Sequence, residues 1–172
     1  SLGVIGAVPS TTPGSLEGGE VAAYQFSVPA SVPAIEVRLD NRVGNPGLAL
    51  RQGGALPIPF ASSYGTEGGY SGGRLTDDTL ITVANPSNSV YSLDVQAGAV
   101  SSSYPDASYT LVVRQKPVVD LSFAPNLNTP TQTNVATGLL ADDQRAFFRV
   151  FVPAMNAGHF VIGWRLQLTE AF

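Results

Sequence analysis

Apolar and polar residues alternate with period two through most of the chain. Ala22, Tyr24, Phe26 and Val28 alternate with Ala23, Gln25 and Ser27, and Ile35, Val37 and Leu39 alternate with Glu36, Arg38 and Asp40. The same pattern sets Tyr91, Leu93 and Val95 against Ser92, Asp94 and Gln96, and Tyr109, Leu111 and Val113 against Thr110 and Val112. Successive strand residues point to opposite faces, so each run predicts a half-buried antiparallel strand with one face on a core and the other toward water. Shorter apolar pieces at 2–8, 48–50 and 80–84 bring the set to about seven strands. Turn signals fall between them at 9–14, Gly18-Gly19, 44–47, 85–88 and 101–106. The segment 141–149 is the nearest approach to a helix, but Phe147-Phe148 and the Val-rich run that follows favour a strand. The predicted fold class is all-β: an antiparallel β-sandwich of jelly-roll or Ig-like kind.

Part of this pattern occurs twice. Gly14-x-Leu16, followed by the run from Ala22 through Tyr24, Phe26 and Val28-Pro29-Ala30, recurs as Gly138-x-Leu140 followed by Ala146, Phe148, Val150 and Val152-Pro153-Ala154. The offset between the copies is 124 throughout, without a gap. This divides the chain into a complete sandwich over 1–116 and the N-terminal part of a second unit over 117–172, which contributes extra strands. On this offset Phe172 corresponds to Leu48, so the second copy is expected to be truncated. The second unit is rich in aromatic and aliphatic residues. Phe147 and Phe151 take the positions of Ala23 and Ser27, so this strand is apolar on both faces, which predicts burial on both faces. Phe147, Phe151, Phe160 and Trp164 are therefore the candidate interface, against the neighbouring domain or another copy of the chain.

Composition narrows the classes. The 172 residues include only 13% charged residues against a usual ~25%, so the fold relies little on ion pairs. Hydrophobic residues make up 44%, which is too many for a disordered chain. With eight Arg and one Lys scattered and a net charge of −4, there is no basic footprint for nucleic acid. No apolar run approaches the ~18 residues of a membrane-spanning helix, so no membrane insertion is expected. The absence of Cys removes disulfides and thiol chemistry. The chain opens Ser1-Leu2-Gly3, without a Met or a charged leader, as expected of a processed chain whose signal peptide has been removed.

The order of these motifs resembles a known family. The Gly-x-Leu and Tyr-x-Phe-x-Val strands, Ile35-x-Val37-x-Leu39, Asn45-Pro46-Gly47-Leu48, Tyr91-x-Leu93-x-Val95 and the closing 108–113 run are similar to the bacterial pre-peptidase C-terminal (PPC) domain. One full copy and the start of a second are covered. The resemblance implies a non-catalytic β-sandwich appended to secreted proteases and other exported enzymes, removed during secretion or binding polymeric substrates. Related clostridial collagen-binding domains bind calcium and collagen through an acidic cluster near their N-terminal linker. Here the first 40 residues hold only Glu17, Glu20, Glu36 and Asp40, widely spaced, and no Asp-x-Asp run.

Candidate chemistry is sparse. The single His, His159, has no nucleophile elbow to serve, and neither a zinc-protease helix nor a phosphate-binding glycine loop is present, so no catalytic residue is assigned. Asp77-Asp78 and Asp142-Asp143 are paired acids. Adjacent Asp residues commonly form turns, so the expected cofactor is none, with calcium at Asp77 and Asp78 as the alternative. The stretch 61–74 has five Gly in fourteen positions and reads as a long loop. Its Tyr64 and Tyr70, with Arg74, are the candidate ligand-binding residues, because exposed rings flanked by polar groups suit sugar and protein surfaces. The function expected is a non-catalytic accessory or adhesive module of a secreted or cell-surface bacterial protein, architectural or binding an extracellular polymer. The alternatives are a carbohydrate-binding module and a subunit of a self-assembling fibre or surface layer.

Overall fold

In a computed structural model the chain divides into two compact units, Ser1–Pro117 and Val118–Phe172. The structure describes residues 1–57, 69–71, 80–98, 103–122, 133, 135–139, 146–151 and 167.

The first unit is built from eight described strands: β1 (Ser10–Leu16), β2 (Val21–Val28), β3 (Ala34–Val43), β4 (Pro46–Gln52), β5 (Gly69–Ser71), β6 (Leu80–Ala84), β7 (Ser89–Ala97) and β8 (Ala107–Gln115). They form two four-stranded antiparallel sheets, ordered β1-β8-β3-β6 (sheet one) and β2-β7-β4-β5 (sheet two). Only β4 and β5 are neighbours both in sequence and in a sheet; every other described step crosses between sheets. This crossing puts the apolar alternates of both sheets on one shared core, which makes the unit a β-sandwich.

The core is made of the residues that the alternation selects. Phe26 and Val28 from β2, Ile35, Val37 and Leu39 from β3, Leu48 and Leu50 from β4, Tyr91, Leu93 and Val95 from β7, and Leu111 and Val113 from β8 are all buried. Phe26 stacks on Tyr91, with ring centroids 5.7 Å apart and planes within 10°.

Before β1, the first residues form a strap along the edge of β2. Leu2 N–H donates to Gln25 O (2.7 Å), Ser27 N–H donates to Gly3 O (2.9 Å) and Ile5 N–H donates to Ser27 O (3.1 Å), so the strap runs parallel to β2. One residue later the chain reaches sheet one, where Gln115 N–H donates to Gly6 O (2.8 Å). The strap thus ties the two sheets together, and its Ile5 side chain is buried in the core.

The structure differs from the pattern-based expectation in three places. Residues 9–14, read as a turn, are mostly β1. Pro13 can lie there because β1 is the edge strand of sheet one and the missing N–H breaks no central ladder. Gly14 stands opposite Tyr109, and a Cβ at this position would collide with the Tyr109 ring. The loop expected over 61–74 contains the short strand β5, which pairs with β4. Finally, Glu36, Ser92, Asp94 and Gln96, read as water-facing alternates, are buried. Each sits on a central strand flanked on both sides, and further groups lie over two of them, as described below.

The second unit contains β9 (Val118–Ser122) and β10 (Phe147–Phe151), paired in parallel. Arg149 lies opposite Asp120 and grips it with two bonds, Nε to Oδ1 and Nη2 to Oδ2, each 2.8 Å. That hydrogen bond and the Arg149 charge hold the exposed Asp120 carboxyl below its ordinary value.

Candidate functional site

On the outward face of sheet one, Glu36 is the centre of an ion cluster. Register places it between Arg114 on β8 and Thr82 on β6. Its Oε1 receives Arg114 Nη2 at 2.8 Å and Arg38 Nη1 at 3.3 Å, while Lys116 Nζ reaches Oε2 at 2.7 Å. Arg38 also forks onto Asp40, Nε to Oδ1 at 2.9 Å and Nη2 to Oδ2 at 3.0 Å. Burial alone would raise the Glu36 carboxyl, but the hydrogen bond from Lys116 and the charges of Arg114 and Lys116 outweigh it. The group is held below its ordinary value. Three cations lie over one buried carboxylate, so this cluster is a fastening for β3 and β8.

The outward face of sheet two has a different character. Ser92, Asp94 and Gln96 form a buried polar row along β7. Over Ser92 the chain following β4 turns back across the sheet: Ser92 Oγ donates to Gly53 O (2.8 Å), and Gln25 Nε2 donates to Gly54 O (3.0 Å). Arg51 adds a weaker bond to Leu56 O at 3.4 Å. Two residues along, Asp94 is flanked by Ala23 on β2 and Ala49 on β4, whose side chains end at Cβ and offer no donor. Asp94 is 1% exposed, and neither carboxylate oxygen has a hydrogen-bond partner among the described residues. Burial pushes its pKa up to about 7.

A third feature lies at one end of the sandwich, where three connections meet. Gly18 N–H in the β1–β2 turn donates to Asp106 Oδ1 (3.1 Å), and the Gly18 backbone lies against Tyr104. Gly44, in the β3–β4 turn at φ +73°, packs on the Asp106 backbone. A left-handed backbone and so close an approach both demand glycine. Around this junction Tyr104 is 56% exposed and Val43 65% exposed, beside the acids Glu17, Glu20 and Asp106. Glu20 and Asp106 are used in the turns themselves, Glu20 Oε2 accepting from Glu17 N–H at 2.8 Å.

The residues singled out from sequence are not brought together among the described residues. Tyr70 stands on β5 opposite Leu50, and Tyr64, Arg74, Asp77 and Asp78 lie outside the described residues. Phe147 and Phe151 are on β10, opposite Val118 and Ser122; Phe147 is half-buried and its neighbour Phe148 about half exposed. Phe160, Trp164, His159, Asp142 and Asp143 lie outside the described residues. Among the described residues there is no group of three or more His, Asp or Glu that could hold a metal ion, and no helix long and apolar enough to cross a membrane. The buried polar residues of β3 and β7 were missed because alternation marks which residues face away from the core and carries no record of what lies over them. The one mark of difference at Asp94 is its flanking pair of alanines, Ala23 and Ala49, which give it no polar neighbour in the adjacent strands.

No protein-family model matches the chain, and no curated protein matches it. Solved structures that are similar in part include two lysozyme inhibitors. One is PliG of Aeromonas hydrophila, a periplasmic lysozyme inhibitor of g-type lysozyme, with a TM-score of 0.43 and 20% identity, covering 63% of this chain and 87% of that one. The other is the PliG of Salmonella Typhimurium, with a TM-score of 0.33 and 14% identity, covering 62% and 86%. Likeness at this level carries no function across to this chain.

Proposed function

We propose that the chain is a non-catalytic accessory part of a secreted or cell-surface bacterial protein, made of one PPC-like sandwich and the start of a second. Its work on this reading is architectural or polymer-binding. The observation that carries it is the repeated construction: β10 falls on the copy of β2 at an offset of 124. Modules in series set a spacing and multiply weak contacts, which is the physics of attachment. The ion cluster at Glu36 fits the same reading, since its charges are spent on fastening strands. The loop end that carries Tyr104 and Val43 is the best described surface for a polymer, with an exposed ring beside polar groups.

The test is co-sedimentation of the chain with insoluble cellulose, chitin and collagen fibrils. Retention on one of them, weakened about tenfold by Tyr104→Ala, is the expected result for a central aromatic contact. Retention on polysaccharide alone would select the carbohydrate-binding alternative. No retention on any of the three would contradict polymer binding at this end of the sandwich.

A further inference from the structure

Asp94 is buried without a partner, yet a cation is rooted within its reach. Register sets Asp94 opposite Ala49 and Ser92 opposite Arg51, so Arg51 stands on the diagonal from Asp94 on the same face of sheet two. Diagonal neighbours in a sheet are close enough for long side chains to touch. Arg51 nevertheless gives Leu56 O a bond of 3.4 Å, near the limit for a hydrogen bond, while both Asp94 oxygens are unpaired among the described residues. This arrangement suits a protonated carboxyl. A charged one would draw the guanidinium away from a neutral carbonyl, since hydrogen bonds between ionised groups are about twice as strong.

We propose that Asp94 and Arg51 form a proton-operated switch: while Asp94 holds its proton Arg51 fastens Leu56, and when the proton leaves Arg51 turns onto the carboxylate and frees the Ala55-Leu56 stretch. The inference goes beyond the accessory-module reading and is independent of it. The stretch is placed to move. Ala55 and Leu56 are exposed and lie between the Gly53-Gly54 pair and the buried Pro57. Gly53 is held at Val90 O and Ser92 Oγ, and Gly54 at Gln25 Nε2, so motion begins after them. The bond from Arg51 is the one hydrogen bond to Leu56 among the described residues. Around Asp94, β2 presents Ala23 and Gln25, β7 presents Ser92 and Gln96, β4 presents Ala49 and Arg51, and β5 has Ser71 opposite Ala49. The segment 53–56 is Gly-Gly-Ala-Leu, so Arg51 is the one charge among these described neighbours. Glu20, near the end of the sheet, places its carboxylate on Glu17 N–H. Burial keeps the Asp94 proton on up to about 7, which sets the switch near neutral pH.

The sequence contains no Cys, so one nitroxide can be attached at Leu56→Cys in the full chain and its mobility read by electron paramagnetic resonance. From about pH 5 to about pH 8 the ratio of mobile to held label is expected to rise about tenfold, the population change that one unit of pKa coupling supplies. With Asp94→Asn added, the label should stay held at every pH. With Arg51→Gln added instead, it should be mobile at every pH. A ratio that does not change with pH in the labelled parent overturns the proposal. An equal change in the parent and in Asp94→Asn overturns it as well, since the response would then come from another group.

Discussion

Glu36 and Asp94 are both acids on the outward face of a central strand, and their surroundings drive them in opposite directions. Glu36 has three cations and Asp94 has no partner among the described residues. Glu36→Gln removes the charge that Arg38, Arg114 and Lys116 share, and is expected to cost about 3 kcal/mol in denaturant unfolding. Because the folded Glu36 carboxyl lies below its ordinary value of 4.5, its contribution is present above that pH and is lost on acidification through the folded value. Asp94 behaves the other way. Its folded pKa is raised from 3.8 to about 7, so it is neutral in both states at low pH and costs progressively more as pH climbs between those values. Asp94→Asn is expected to leave stability unchanged near pH 3 and to raise it by up to about 4 kcal/mol at pH 8. Unfolding curves for the variant and its parent that differ equally at both pH values would contradict this account of Asp94.

At the scale of elements, alternation revealed most of the strands because the core is formed by alternate residues of both sheets. β3, β7 and β8 bury the alternates read from sequence, while β2 buries Phe26 and Val28 and leaves Ala22 and Tyr24 only partly buried. β1 was hidden because Pro13 and Gly14 imitate a turn, and what makes them tolerable is tertiary: an edge position and an aromatic ring from β8. Gly14 leaves the space that Tyr109 fills, and the Tyr109 hydroxyl lies 2.9 Å from that of Tyr24, joining the two sheets. Burial first, and then this bond, push the Tyr109 hydroxyl pKa upward. Gly14→Ala should displace the ring and break the bond, at a cost of about 2 kcal/mol, read as a lower midpoint in urea. Tyr24→Phe in the same background should then add almost nothing, since the bond is already lost. The candidate site was less legible than the strands. The polar row on β7 looks in sequence like any water-facing row, and the exposure of Tyr104 depends on three turns that meet only after folding.

The chain divides into a β-sandwich and a second compact unit in which the described strands β9 and β10 pair in parallel. The compact first unit ends at Pro117, one residue beyond the boundary drawn from the repeat. The described residues of its core come from both sheets and from the strap. That composition predicts independence: a module of a series should fold without the next copy. Differential scanning calorimetry of residues 1–117 alone measures this directly. The account predicts a single transition with equal calorimetric and van't Hoff enthalpies, of roughly 80 kcal/mol near 60 °C for a chain of this length. Absence of a cooperative transition in residues 1–117, with one present in the full chain, would contradict the modular account.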